Sequence, residues 1–359
     1  MEAIALDQKK VDAFETKVVD MMNLSALGLM TSIGHRTGLF DTLATLPPST
    51  SREIAEAARL NERYVREWLG AMYTGGVVEY EKDTETYWLP REHAGFLTRA
   101  AAANNLAALC QYFGQLGAVE DDVVECFHNG GGVPYEKFKR FHDIMAEDSG
   151  QSVLPALLDE IIPLVPGLKE RLFEGIDVLD VGCGVGLALN LLARTFPNSR
   201  FTGYDFSKEG ITRARAKAAE YGLKNIRFEV QDAATIEETD AYDLIVTFDA
   251  IHDQAKPGVV LSNIHRALRE DGVYLMQDIR ACSHVHGNTE HPIGPLLYTV
   301  SCMHCMTVSL AYGGEGLGTM WGEELALQML RDAGFGSTRI EQLPHDIQNQ
   351  YYINHKSFV

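Results

Sequence analysis

The sequence is poor in cysteine and contains no long apolar run. Its six cysteines are spread unevenly over 359 residues, which fits a reducing cytosol better than a disulfide framework. Because no run of about 18 apolar residues exists, we expect no membrane span. The first ten residues lack the basic-then-apolar order of a secretory signal. These features predict a cytoplasmic protein.

Basic residues are also scarce. Lysine and arginine number 31 against 50 aspartates and glutamates, which gives a net charge of −19. This charge opposes binding to a phosphate backbone, so we expect no nucleic-acid partner. A hydrophobic content of 46% over this length indicates ordinary globular burial, and the length suggests two domains.

The first 95 residues have the pattern of a winged helix. A helix is predicted over residues 24–40, a second after the N-cap Thr50 or Ser51, and a third after the N-cap Asn61. A hairpin follows over residues 77–90. One face of the third helix is predicted to be apolar and to comprise Tyr64, Val65, Trp68, Leu69 and Met72.

The charge of this segment argues against DNA binding. Residues 51–70 hold four arginines and four glutamates, and the hairpin is mainly acidic. We therefore predict a dimerisation and substrate-lid role for the segment. Residues 100–169 have a mostly helical pattern, broken by glycines and prolines, and are interpreted as a connector.

The most informative stretch is V-L-D-V-G-C-G-V-G, from Val178 to Gly186. Its apolar residues predict a buried parallel strand. Its alternating glycines predict a turn that lets the backbone approach a ligand, before a helix over residues 187–196. The carboxylate of Asp180 at the strand tip suits a ligand with a cationic group.

Three further strands are each followed by an aspartate. Residues 200–205, 226–230 and 242–248 are predicted strands, and Asp205, Asp232 and Asp249 lie at their ends. Together these tips predict the crevice in which open α/β sheets bind ligands. Any one of these aspartates, taken alone, could equally be a helix cap or a turn residue.

The remaining residues complete a seven-stranded, mostly parallel sheet. The predicted elements are a helix over 257–269, a strand over 272–279, a long irregular insertion over 280–318, a helix over 321–333 and strands over 336–343 and 350–356.

The motif D-x-G-x-G-x-G at Asp180–Gly186 resembles motif I of the class I S-adenosylmethionine-dependent methyltransferases. The order of the segments is similar to that of small-molecule O- and S-methyltransferases with an N-terminal winged-helix dimerisation domain. The resemblance implies a winged-helix domain (1–95), a helical connector (96–165) and a Rossmann-like methyltransferase domain (166–359). It also implies a homodimer that uses S-adenosyl-L-methionine.

The resemblance carries specific roles over to this sequence. Asp205 would hold the ribose hydroxyls, and Asp232 would accept from the adenine amino group. The full set of cofactor-binding residues that it implies is Asp180, Gly182, Cys183, Gly184, Gly186, Asp205, Phe206, Asp232, Ala233, Phe248 and Asp249.

Catalysis is predicted to involve His252, Asp253 and His304. His252-Asp253 stands where the similar O-methyltransferases have His-Asp-Trp, whose histidine is the catalytic base; Gln254 replaces the tryptophan. A histidine with a pKa near 6.5 suits proton removal from a hydroxyl, whereas a small thiol needs less help. Alternatively, His252 is a surface-loop histidine that caps the helix beginning near Pro257. Asp253 either orients His252 or only caps that helix.

The insertion contains several histidines and the pair Cys302 and Cys305. A lone C-x-x-C lacks the second ligand pair of structural zinc sites, so we predict no metal. Residues 301–311 are interpreted as a buried helix whose Met303 packs in the interior or borders the acceptor pocket, and Met145 is expected to border the same pocket. Glu315, in a glycine-rich segment interpreted as a hinge or lid, either contacts the substrate or is an exposed loop acid.

The sequence thus predicts methyl transfer to the oxygen or sulfur of a small molecule. One alternative is a winged-helix transcriptional regulator with a domain that senses an adenosylmethionine-type ligand. Another is a cofactor-binding protein without catalysis. The sequence does not identify the acceptor.

Overall fold

The structure, a computed structural model, describes residues 6–357 except for the side chain of Ala103. The ends of the predicted 1–95 and 166–359 domains, residues 1–5 and 358–359, lie outside the described residues. The chain forms two compact units, Met1–Gly114 and Gln115–Val359. The predicted boundaries at 95 and 165 stay predictions.

The first unit contains five helices and a hairpin. They are α1 (Gln8–Thr37), α2 (Leu39–Thr45), α3 (Ser51–Ala58), α4 (Glu62–Thr74), α5 (Arg91–Leu97), and the antiparallel strands β1 (Glu79–Glu81) and β2 (Thr86–Trp88).

The predicted caps of α3 and α4 are confirmed. Thr50 accepts from the amide of Glu53 in a capping box, and Asn61 accepts from the amide of Arg63. Val65, Trp68, Leu69 and Met72 are buried as predicted, but Tyr64 is 80% exposed. Including Tyr64 in this face was wrong, because Tyr64 lies at the edge of the apolar face of α4 and its side chain is exposed to solvent.

Helix α1 is longer than predicted and carries an exposed apolar stripe. It begins at Gln8 rather than at residue 24, after the N-cap Asp7. Its C-terminal part contributes Thr31, Ser32, Gly34 and His35 to the buried interior. The exposed stripe consists of residues that share one side of the helix, most of them three, four or seven positions apart, namely Val11, Phe14, Val18, Met21, Met22, Leu29 and Ile33.

Helices and short helical turns precede the sheet, as predicted for the connector. The α-helices are α6 (Gln111–Gly117), α7 (Glu120–Asn129), α8 (Phe141–Gln151), α9 (Val153–Ala156) and α10 (Leu168–Glu174). A 3₁₀ turn at Tyr135–Lys137 precedes α8.

The second unit contains the predicted seven-stranded sheet. Its strands are β3 (Asp177–Val181), β4 (Arg200–Asp205), β5 (Ile226–Val230), β6 (Tyr242–Phe248), β7 (Leu268–Ile279), β8 (Ser337–Glu341) and β9 (Asn349–His355). The helices of this part are α11 (Leu187–Thr195), α12 (Lys208–Glu220), α13 (Pro257–Ala267), α14 (Gly294–Val300), α15 (Met306–Ala311) and α16 (Gly322–Asp332).

The strand order is β5-β4-β3-β6-β7-β9-β8. The pairs among β5, β4, β3, β6 and β7 are parallel, whereas β9 pairs antiparallel with both β7 and β8. The chain order reverses between β3 and β6. Open α/β sheets bind ligands at this switch point, outside the carboxyl ends of the strands.

Two sequence-based predictions for the sheet region were wrong. The helix expected over 257–269 ends at Ala267, and Leu268 already pairs with Tyr242 in the sheet. The insertion at 280–318, expected to be irregular apart from a buried helix over 301–311, is helical from residue 294 onward through 311. Its segment Gly294–Ala311 runs through α14, one π-helical turn at Ser301–Cys305, and α15. Several of its side chains are buried, which explains why it packs as helix rather than loop.

Among residues 6–357, no single helix has the length and hydropathy that a membrane span requires. One bent pair, Phe141–Leu164 with Leu168–Glu174, meets the requirement by length and composition alone.

Candidate active site

A cavity of about 520 Å³ lies at the switch point of the sheet. Its size falls in the range of small-molecule sites. Residues at the carboxyl ends of four parallel strands border it. They are Gly182 and Gly184 after β3, Asp205 and Phe206 at the end of β4, Asp232 and Ala233 after β5, and Phe248 and Asp249 at the end of β6. The predicted strand-tip crevice is therefore present.

The glycine turn presents backbone to the cavity at Gly184. This residue has a φ of +52°, and a Cβ built on it meets no atom within 4 Å. The side that a larger residue would fill is thus open to a ligand. Gly186 differs, since its Cβ would lie 2.7 Å from the ring of Phe228. Gly186 does not border the cavity and is required for packing beside β5.

Asp180, at the end of β3 before the glycine turn, has a buried carboxylate oxygen that is not paired within the described residues. The residue is 3% exposed, borders the cavity, and its Oδ1 accepts no hydrogen bond from the described residues. Burial and the nearby Asp205 raise the pKa of Asp180 to about 8. A buried carboxylate of this kind is suited to a cationic ligand group, which would offset the cost of its charge.

Asp205 fixes the shape of the turn. Its Oδ2 accepts from the amide of Gly184 at 2.8 Å, and its Oδ1 accepts from the amide of Ser207 at 2.8 Å. Burial raises the pKa of Asp205 despite these bonds. Because each carboxylate oxygen can accept a second hydrogen bond, Asp205 remains able to bind ligand hydroxyls. Asp232, at the next tip, is exposed and accepts from the amide of Ala234.

Asp249 adopts an unusual backbone conformation at the tip of β6. Its φ is +49°, a left-handed value that is uncommon for a residue with a side chain. Its Oδ1 is buried and accepts no hydrogen bond from the described residues. Burial and the neighbouring Asp278 raise its pKa well above the ordinary range. Strained residues of this kind cluster at functional sites.

His252 is buried behind the cavity wall and does not border the cavity. Its Nδ1 lies 2.7 Å from Asp278 Oδ1, and its Nε2 lies 3.3 Å from Asp253 Oδ1. Burial lowers the pKa of His252, but the carboxylates of Asp278 and Asp253 outweigh this effect and raise it well above the usual value. Asp253 does border the cavity. It is therefore the member of the pair that an acceptor can contact.

Asp278 was missed by the sequence analysis. Its Oδ1 accepts from His252 Nδ1, from Trp321 Nε1 at 3.0 Å and from the amide of Ile279 at 2.8 Å. An acid within the otherwise buried strand β7 was the signal that could have identified it, because such residues are rarely buried without a partner.

His304 is also buried away from the cavity. It is 1% exposed and stacks on Phe141, with ring centroids 3.7 Å apart. Neither ring nitrogen has a hydrogen-bond partner among the described residues. Burial lowers its pKa to about 4, so the ring is neutral at pH 7. Its ring lies against those of Tyr135, Phe138 and Phe141, and it is not among the residues that border the cavity.

The wall opposite the strand tips contains polar groups that the sequence analysis did not single out. Tyr135, His142, Ser309 and Tyr312 border the cavity. His142 Nε2 lies 2.9 Å from Ser207 Oγ, and the Tyr135 hydroxyl lies 3.3 Å from His142 Nδ1. No motif marks these residues, since helical turns distant in sequence bring them together.

One of the three residues predicted for the acceptor pocket borders the cavity, namely Met145 on α8. Met303 and Glu315 are not among the described residues that line it. Met303 lies on the π-helical turn, whereas α15 presents Val308 and Ser309 to the cavity. Glu315 is exposed, and its amide donates to the carbonyl of Ala255.

The fold and the cavity together define a Rossmann-like α/β unit with a small-molecule site at its switch point. Residues 172–334 match a methyltransferase domain family, and residues 25–99 match the Rv2258c-like winged HTH domain. The chain thus combines these two domains, which confirms the predicted resemblance to class I methyltransferases with an N-terminal winged-helix domain.

Individual relatives agree with this assignment. The chain is 33% identical over 107 residues to the fatty-acid O-methyltransferase of Mycolicibacterium smegmatis, a match that covers 30% of the chain and 38% of that enzyme. It is 28% identical over 152 residues to the malonyl-[acyl-carrier protein] O-methyltransferase of Bacillus cereus, which covers 41% of the chain and 49% of that enzyme. The chain therefore spans less than half the length of these curated relatives.

Solved structures share the fold over nearly the whole chain. A structure described as a putative O-methyltransferase from Nostoc punctiforme has a TM-score of 0.69 at 18% identity, and the superposition covers 96% of this chain and 98% of that one.

Proposed function

We propose that this chain is an S-adenosylmethionine-dependent methyltransferase that acts on the oxygen or sulfur of a small molecule. The observation that carries the proposal is the buried carboxylate of Asp180, whose Oδ1 accepts no hydrogen bond from the described residues and which borders the same cavity as the open side of Gly184. This arrangement fits a cofactor that carries cationic groups and needs close backbone approach. The methyltransferase domain match supports the same function.

The cofactor would lie along the strand tips. Asp180 and the backbone of Gly182, Cys183 and Gly184 would bind its amino-acid part, and Asp205 its ribose. Asp232, Ala233 and Phe206 would bind its adenine, and Phe248 and Asp249 would border its sulfonium. Bound adenosylmethionine supplies a methyl group that its sulfonium already activates.

The chain has to hold the acceptor in line with that methyl group, which is mainly catalysis by proximity. The acceptor would occupy the part of the cavity between Met145 on α8 and Ser309 on α15, beside Asp253. Asp253 would contact the acceptor and receive its proton. His252, which Asp278 holds in place, would act through Asp253 as a positioning residue.

We further propose that the protein is a cytoplasmic homodimer, assembled through α1. The exposed apolar stripe on this helix is too long to be a chance surface feature, and a second copy would remove it from water. The same unit is poorly suited to DNA. On α4, Arg66 pairs with Glu62 of the same helix, so its charge is already compensated. This argues against the regulator alternative.

Calorimetric titration with adenosylmethionine tests the proposed site. Gly184→Val should abolish binding by filling the open side of the turn. Gly222→Val is the matched control, because Gly222 also has a positive φ of +66° and open space at its Cβ position but lies away from the cavity. Equal loss in both variants would indicate backbone strain alone. Full binding by Gly184→Val would remove the assignment of this turn.

A further inference from the structure

A group of potential metal ligands lies behind the cavity wall at Asp253. One nitrogen of His252, one carboxylate oxygen of Asp253 and the sulfur of Cys305 all lie within 4.8 Å of one another. His252 Nδ1 faces Asp278 at 2.7 Å, so the nitrogen that faces the other two groups is Nε2, which is 3.3 Å from Asp253 Oδ1. Imidazole nitrogen, thiolate sulfur and carboxylate oxygen are the ligands that zinc takes in proteins.

The contact between His252 Nδ1 and Asp278 also supports a metal site. Metal-binding histidines almost always donate their second N–H to a carboxylate, a carbonyl or a water, which fixes the ring and the tautomer. Asp278 accepts from His252 in this way and is itself held by Trp321 and by the amide of Ile279. Nε2 of His252 is therefore directed toward Asp253 and Cys305, and a bound metal would displace its proton.

The group also has more negative charge than its one imidazole can balance. Asp253 and Asp278 each keep a buried oxygen that accepts no hydrogen bond from the described residues, and Asp278 is 0% exposed. Buried carboxylates are costly unless they are paired or bind a metal. Cys305, 4% exposed, adds a thiol to the same volume as a third potential ligand beside His252 and Asp253.

We propose that His252, Asp253 and Cys305 bind a zinc ion, with Asp278 orienting His252. Three protein ligands leave the fourth position of a tetrahedral ion open. Asp253 borders the cavity whereas His252 and Cys305 lie behind it, so the open position faces the cavity and takes the sulfur or oxygen of a small molecule. That last step rests on the proposed methyl transfer; metal binding itself does not.

A zinc ion at this position changes the role of His252. The ion occupies the Nε2 lone pair that a general base would use, so His252 becomes a ligand. The sequence-based prediction of no metal considered the C-x-x-C pair and the histidines of the insertion only. The site instead combines Cys305 with a second segment, 252–253, and leaves out Cys302.

Metal binding can be measured on the full chain without cofactor or acceptor. Metal-free protein is titrated with Zn²⁺ against a fluorescent chelator, and separately with Co²⁺, whose bond to a thiolate gives a near-ultraviolet charge-transfer band. We expect about one ion per chain and this band. Cys305→Ser should abolish the band and weaken zinc binding at least about 100-fold, while Asp278→Asn should weaken it about 10–100-fold.

Cys302→Ser is the matched control, because Cys302 lies on the same helical turn outside the ligand group. It should keep both the band and the affinity. Asp253→Asn, on the cavity wall, serves as a second test if Cys305→Ser fails to fold. Absence of zinc binding by the native chain, or equal losses in the two cysteine variants, would overturn the proposal. Either result would leave the cofactor titration unaffected, so the two failures are distinguishable.

Discussion

At the scale of single residues, the account depends on carboxylates that the fold buries beside a cavity. Asp180 and Asp249 both keep a buried oxygen with no partner among the described residues. Such groups cost stability in the free protein and gain partners when a cationic ligand binds. A positively charged ligand at the strand tips would therefore pair with carboxylates that have no partner among the described residues of the free protein.

Asp180 should make cofactor binding depend on pH. Burial and Asp205 raise the pKa of Asp180 to about 8 in the free protein, whereas a bound cation stabilises its ionised form. Binding below pH 8 therefore releases a proton. Affinity for adenosylmethionine should rise with pH, up to about tenfold per pH unit between about 5.5 and 7.5.

Calorimetry in buffers of different ionisation enthalpy would measure this proton release. Asp180→Asn should bind more weakly and lose the pH dependence. A flat affinity for the native chain over this range would contradict the assigned role of Asp180.

Asp253 should matter for turnover more than for cofactor binding. If its carboxylate receives the acceptor's proton, or binds a metal that lowers the pKa of the bound hydroxyl, Asp253→Asn should lower kcat for a hydroxyl acceptor by about 10²–10⁴. A thiol is already partly ionised near neutral pH, so its kcat should fall by about tenfold or less. Steady-state kinetics with both acceptor classes, together with a cofactor titration, would separate an effect on turnover from an effect on cofactor binding. Unchanged kcat for both classes would exclude Asp253 from the reaction.

At the scale of elements, helix α1 leaves many apolar side chains exposed to water. Its residues 8–26 contribute no buried side chain, and its stripe includes Phe14 at 64% and Met22 at 68% exposed. An isolated helix segment of this kind gains stability by burying its apolar side against another surface. We attribute that surface to a second copy of the chain.

Charges placed on the stripe should break the dimer. The double variant Phe14→Glu with Met22→Glu should be monomeric in light scattering, because charged groups in an apolar interface lose their hydration. Thr16→Glu, on the opposite side of α1, is the control and should stay dimeric. A monomeric native chain, or a dimeric double variant, would show that α1 does not form the interface.

Local sequence rules predicted most of these elements. Strand alternation and the caps Thr50 and Asn61 gave bounds that the structure reproduces, because short-range chemistry determines them. The start of α1 was missed even though Val11, Phe14 and Val18 already have helical spacing, because the prediction was confined to the apolar-rich residues 24–40. The helix over residues 301–311 was predicted, but its extension back to residue 294 was missed because tertiary burial, which a sequence does not display, stabilises that part.

At the scale of the whole molecule, the strand-tip side of the site was predictable and the opposite wall was not. Asp180, Gly184 and Asp205 follow strands at spacings that the sheet fixes. Tyr135 and His142 reach the cavity through helical turns far away in sequence, and Cys305 joins His252 across 52 intervening residues. Contacts of this kind arise from packing, and no spacing rule indicates them.

The central claim is that this chain transfers a methyl group from adenosylmethionine to a small acceptor. The most direct test incubates the purified chain with methyl-labelled adenosylmethionine and a panel of small thiols, phenols and other hydroxyl compounds, and then quantifies adenosylhomocysteine and labelled product. The account predicts equal amounts of both with at least one thiol or hydroxyl acceptor, and their loss in Gly184→Val. Tight cofactor binding without adenosylhomocysteine formation across the panel, or no cofactor binding at all, would contradict it.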